Sequence, residues 1–198
     1  MIRTALIPLA TLFVAVAVFA WSSINPFERS TWWMEVAPAL IALPLLVLTY
    51  KRFRLTDLSY ALIGIHACIL MVGGKYTYAR VPLFDFIEGT RNNYDKLGHF
   101  AQGFIPAIII RELLLRTSPL QPGKWLAAVI VFSCLGISAA YELIEWLAAV
   151  LLGQGAEEFL GTQGDEWDTQ KDMLWAGIGA CTALLTLSRW HNRQLERI

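Results

Sequence analysis

Charge is what this chain has least of. Asp, Glu, Lys and Arg make up 16% of its 198 residues, and acids and bases cancel at 16 each. A soluble domain of this size would carry about 25% charged residues, so water is not the main solvent of these side chains. With no net charge and no basic stripe, nothing points to nucleic acid as a partner. Cysteine is sparse and unpatterned. Cys68, Cys134 and Cys181 each sit inside an apolar run without CxxC or Cys/His spacing, and read as small buried hydrophobes rather than a disulfide or zinc framework. The words HExxH, GxSxG and the P-loop are all missing, which removes the motif-bearing metalloproteases, serine hydrolases and nucleotidases. No internal repeat, heptad or low-complexity tract is present.

Hydrophobic residues make up 56% of the chain and its mean hydropathy is +0.50. They fall into six runs, 4–21, 34–50, 58–74, 97–115, 125–152 and 173–190. At ~1.5 Å of rise per residue, each crosses a hydrocarbon core of ~30 Å or nearly so with its flanks. The expectation is an all-α polytopic membrane protein, a single bundle of about six transmembrane helices over residues 1–198. The first run is long for a cleaved leader and is read as a span. Arg3, Lys51, Arg52, Arg54, Arg111, Arg116, Lys124, Arg189, Arg193 and Arg197 fall on one side if six helices alternate. Arg29, Lys75, Arg80, Arg91, Lys96 and Lys171 fall on the other, diluted by many carboxylates. The positive-inside rule then places both termini in the cytoplasm. The long connections at 75–95 and 153–170 lie outside, so a site built from loops faces outward.

Three polar words break the oil. GTQGDEWDTQKD, from Gly161 to Asp172, holds Asp165, Asp168 and Asp172 at helical spacings of three, four and seven, one stripe if the segment is helical. The fourth run opens with Asp95, His99 and Gln102 on one face, and the fifth presents Ser138, Glu142 and Glu145 late, on another. Alternating helix directions bring all of these to one depth. Carboxylates there have to be paired, protonated or metal-bound. Asp95, His99, Asp165, Asp168 and Asp172 are the candidate metal ligands, with oxygen and imidazole donors suited to zinc, manganese or magnesium. Glu142 and Glu145 are candidate general bases. Arg91, Lys96, Gln102, Tyr141, Gln163 and Lys171 are candidates to hold substrate, the cations meeting an anionic head. His66, alone in mid-helix, reads as a helix–helix hydrogen bond. His191 lies beyond the last run, and Arg111 is placed to snorkel to the headgroups.

The blocks NNYDKLGHFAQGFIPA with RELLLR, SAAYELIEW and FLGTQGDEWDTQKDMLWAGIGA resemble the YjdF-type bacterial inner-membrane proteins, a family defined by a domain of unknown function. DKLGHF from Asp95 to Phe100, with Asp168 and Asp172, is more faintly similar to VanZ-like proteins. The resemblance implies a multi-pass protein of the bacterial inner membrane and supports the polar cluster as a site, without supplying a reaction. Three readings follow. One is a metal-dependent site acting on a lipid or lipid-linked envelope substrate. Another is a proton-coupled transporter or channel using Glu142 and Glu145. The last is a non-catalytic membrane protein that binds a lipid or a partner, its cluster closed by internal hydrogen bonds.

Overall fold

A computed structural model describes residues 5–84, 91–152 and 163–198. Its regular structure is helical throughout: α1 (Leu6–Ser23), α2 (Arg29–Thr49), α3 (Asp57–Tyr76), α4 (Tyr94–Thr117), α5 (Lys124–Leu152) and α6 (Asp168–Leu195). Each apolar run became one helix. The first residue of the first run, Thr4, and parts of the two long connections lie outside the described residues.

The helices overshoot the apolar runs because polar caps extend them. The Glu28 carboxylate accepts from the backbone N–H groups of Ser30 at 3.1 Å and Thr31 at 2.5 Å, starting α2 five residues before the run. The Thr56 hydroxyl accepts from the Ser59 N–H at 3.2 Å and starts α3. Such caps satisfy N–H groups that have no partner inside the helix. At the other end of the chain, α6 continues to Leu195, so His191 belongs to the helix rather than lying beyond it. Asp165 precedes α6 and sits in a turn, so only Asp168 and Asp172 share the helical stripe.

By length and composition α1, α2, α3 and α5 can cross a membrane, with mean hydropathy from 1.5 to 2.0. Much of their outward surface is large and apolar, including Phe13, Leu48, Ile65, Phe132 and Leu151. A patch that size in water would be an aggregation site; against lipid it is the expected surface. The polar residues are concentrated on α4 and α6, which pack against each other more extensively than any other pair. A Cβ at Gly103 would lie 1.8 Å from the Ala176 carbonyl oxygen, and one at Gly179 2.1 Å from that of Phe100. Small residues therefore let the two backbones touch, the usual means of association where lipid removes the hydrophobic drive.

Between the polar ends of the bundle lies a dry layer containing Leu62, Ile105, Ile108, Ile130, Cys134, Ala180 and Ala183. All three cysteines are free; Cys134 is buried as expected, whereas Cys181 is exposed on the outer face of α6.

Candidate functional site

The first turns of α4 bring Asp95 and His99 to one face, as their spacing requires. His99 Nε2 lies 3.4 Å from Asp95 Oδ1 and 3.9 Å from Asp172 Oδ2. Its other nitrogen, Nδ1, is 3.2 Å from Gln102 Oε1 and 3.8 Å from Glu142 Oε1. Nδ1 thus faces Gln102 and Glu142, and Nε2 faces the space between the two aspartates. One donor atom from each of Asp95, His99 and Asp172 lies within 4.8 Å of the other two, and all three residues are buried. Donors around a metal at ~2.0–2.2 Å stand roughly 3–3.6 Å apart, so only a small closure is needed.

The site is not internally satisfied. Among the described residues, Asp172 Oδ1, Glu142 Oε1 and Ser138 Oγ are buried without a hydrogen-bond partner, in residues that are 3%, 9% and 0% exposed. Buried oxygens of this kind are costly unless a ligand, ion or water completes them. The chemistry of the set, two carboxylates and an imidazole with further oxygens beside them, fits a hard or borderline divalent cation.

Arg91, just before α4, joins the carboxylates of Asp95 and Asp168 and approaches Asp165 Oδ2 at 3.6 Å. Burial lowers the pKa of its guanidinium, but these carboxylates outweigh that and raise it. Asp165 is also held by Lys171 Nζ at 2.6 and 2.8 Å, and by the Trp167 N–H; these lower its pKa. Asp165 and Asp168 therefore face cations, Asp172 faces His99, and Asp95 is shared between Arg91 and His99. Lys96 donates to Asn93 Oδ1 at 2.7 Å, a neutral partner. The Gln163 side chain clamps the backbone of Asn92, accepting from its N–H at 2.8 Å and donating to its carbonyl at 3.3 Å. That ties the turn before α6 to the entry of α4. The Tyr141 hydroxyl donates to Glu35 Oε2 at 3.1 Å.

Glu35, His66 and Tyr78 join the site without having been assigned to it. With Asp95, His99, Gln102, Tyr141 and Glu145 they line a cavity of about 30 Å³, room for about one or two waters. A carboxylate inside an apolar run was the available signal for Glu35, which is 3% exposed.

A second polar cluster occupies the opposite end of the bundle. Glu112 accepts from the Thr56 N–H and hydroxyl, the Ser59 hydroxyl at 2.7 Å and Arg116 at 2.7 Å, and faces His191 Nε2 at 3.2 Å. Arg111 is buried rather than snorkelling, with His191 Nδ1 at 3.0 Å and Asn192 Oδ1 at 2.5 Å. Three helices, α3, α4 and α6, are pinned there.

Among the described residues, six helices, four of them long and apolar enough to cross a membrane, around buried carboxylates and a histidine define a polytopic membrane protein with a polar site inside its bundle. The family model described as "Predicted membrane protein (DUF2238)" matches residues 7–193, and the chain belongs to that family. It is 50% identical over 184 residues to the "Inner membrane protein YjdF" of Escherichia coli (strain K12), covering 91% of this chain and 88% of that protein. No solved structure matches. The expected bacterial inner-membrane location agrees with both the family and the relative.

Proposed function

We propose that the cluster is a divalent-metal site of a membrane-embedded enzyme acting on a lipid or lipid-linked envelope substrate at the outer face. The observation that carries this reading is the donor set. Asp95, His99 and Asp172 converge within 4.8 Å, with buried oxygens of Asp172 and Glu142 left without donors. Gln102 orients His99 as an outer-shell partner orients a ligating imidazole. Bound there, zinc, manganese or magnesium would supply a Lewis acid and an activated water.

The remaining roles fall to this chain's own residues. Glu142 or Glu145 serves as general base, being the carboxylates nearest the ligands on α5. Lys96, whose described partner is a neutral amide, is the cation best placed to meet an anionic head. Arg91 and Lys171 neutralise Asp168 and Asp165 and fix the mouth of the site. The outward orientation rests on the distribution of Lys and Arg.

Two features weigh against the other readings. A proton-coupled carrier needs a polar path to the other end, and the described layer around Ile105, Ile108 and Ile130 is apolar. A cluster that only fastened helices is expected to pair its buried oxygens, and those of Asp172 and Glu142 have no donor among the described residues.

The test is metal analysis of the purified full chain. Near-stoichiometric zinc, manganese or magnesium is expected in the wild type, with a loss of at least tenfold in affinity for Asp172→Asn and for His99→Ala. No metal in the wild type under any loading condition, or unchanged binding in both variants, overturns the proposal.

A further inference from the structure

A second concavity, of about 470 Å³, opens on the flank of the bundle between α1 and α3. Ala10 and Val14 of α1 and Ala61, Ile65, Cys68 and Val72 of α3 line it, and no charged side chain does. Its volume falls in the range of ~300–1,000 Å³ typical of small-molecule sites. Small residues create it. At Gly64 an added Cβ would lie 2.0 Å from Thr11 Cγ2, so the helices touch at the floor while the alanines leave the rim open. In a bilayer such a concavity is filled by hydrocarbon, since a void forfeits its dispersion contacts and water finds no polar partner in it.

The groove has a charged end. On α3 the lining positions 61, 65, 68 and 72 step by four, three and four, and the next step of three reaches Lys75. On α1, Trp21 lies seven residues after Val14, on the same stripe. Lys75 Nζ lies 4.8 Å from the Trp21 ring centroid, so the two stripes meet. Lys75 donates to the carbonyls of Ile24 at 2.6 Å and Trp21 at 3.4 Å. Both are neutral, so among the described residues no carboxylate pairs with it, and an ammonium has a third N–H to give. A lysine and a tryptophan together at a helix end are the side chains expected at headgroup level.

We propose that the groove holds an acyl chain of an anionic glycerophospholipid whose phosphate rests on Lys75. The lipid lies one aromatic layer from the carboxylate cavity. Tyr94 lines the groove, Tyr78 lines the cavity, and their rings are 5.7 Å apart. The proposal stands independently of the metal reading.

Native mass spectrometry of the full chain, titrated with phosphatidylglycerol and with phosphatidylcholine of identical chains, tests it. One phosphatidylglycerol should bind more tightly than phosphatidylcholine. Lys75→Gln should weaken it about fivefold and leave phosphatidylcholine unchanged. Ala10→Phe, at an exposed position, should weaken both lipids by filling the groove. Metal content should be unchanged in both variants. Equal binding of the two lipids that neither variant alters overturns the proposal. So does a dimer that Ala10→Phe abolishes, because a second copy of the chain would then be the occupant.

Discussion

The two polar ends of this bundle contain similar residues and differ in how they are completed. At one end Glu112 receives hydrogen bonds from Thr56, Ser59 and Arg116 and is itself almost wholly covered. At the other, Asp172 and Glu142 are also buried but keep oxygens with no donor among the described residues. A closed network holds helices together, because any lost member strands its partners. An open one holds strain that a ligand or cation relieves, which is how sites differ from fasteners.

Exchanging the same atom at both ends is the sharpest way to break that comparison. Glu112→Gln puts an amide among four donor groups, and breaking a buried pair of this kind costs about 3–5 kcal/mol. Thermal unfolding in detergent should show severe destabilisation or failure to accumulate. Glu142→Gln should change stability by less than about 1 kcal/mol, since its Oε1 has no hydrogen-bond donor to lose among the described residues. It should still weaken metal binding by about 10–100-fold. Equal stability losses at the two ends would erase the distinction drawn between them.

Gly103→Ala comes next in size, because both ends depend on the α4–α6 contact. The new methyl would meet the Ala176 carbonyl at 1.8 Å, closer than atoms approach, so the helices must separate. Overpacking of this kind costs about 1–3 kcal/mol. Unfolding should shift accordingly, and metal affinity should fall with it, as Ala176 lies four residues beyond Asp172. An unchanged melting curve would show that the helices meet less closely than described.

The smallest effect lies outside both clusters and calibrates them. Partial burial would raise the Glu28 pKa, but hydrogen bonds from Ser30 and Thr31 outweigh it and lower the value to about 2. Its folded pKa is below the unfolded 4.5. The contribution is therefore fully present above about pH 4.5 and lost as pH falls towards 2. Glu28→Gln should cost under about 1 kcal/mol at pH 7, as capping contacts usually do, and almost nothing near pH 2. A difference between wild type and variant that persists there would assign the effect to shape rather than charge.

Much of the site was legible because its signals are local. Asp95, His99 and Gln102, then Glu142 and Glu145, then Asp168 and Asp172, follow from helical spacing within single segments. Their convergence followed from alternating helix direction. Glu35 and His66 were not legible, because each is the one Asp, Glu, His, Lys or Arg of its apolar run and only packing says which way it faces. Arg111 was misread for a related reason. A basic residue near a helix end can reach the headgroups or turn inward, and the choice depended on His191 and Asn192, some eighty residues away.

By itself, the sequence determined the solvent, the helices and the stripes, because hydropathy and the 3.6-residue period act over short stretches of chain. The tertiary structure decided which stripes meet, since that depends on how closely two backbones approach. Gly103 against Ala176 and Gly179 against Phe100 set the spacing of α4 and α6. That spacing puts His99 between Asp95 and Asp172 and gives Arg91 to Asp168.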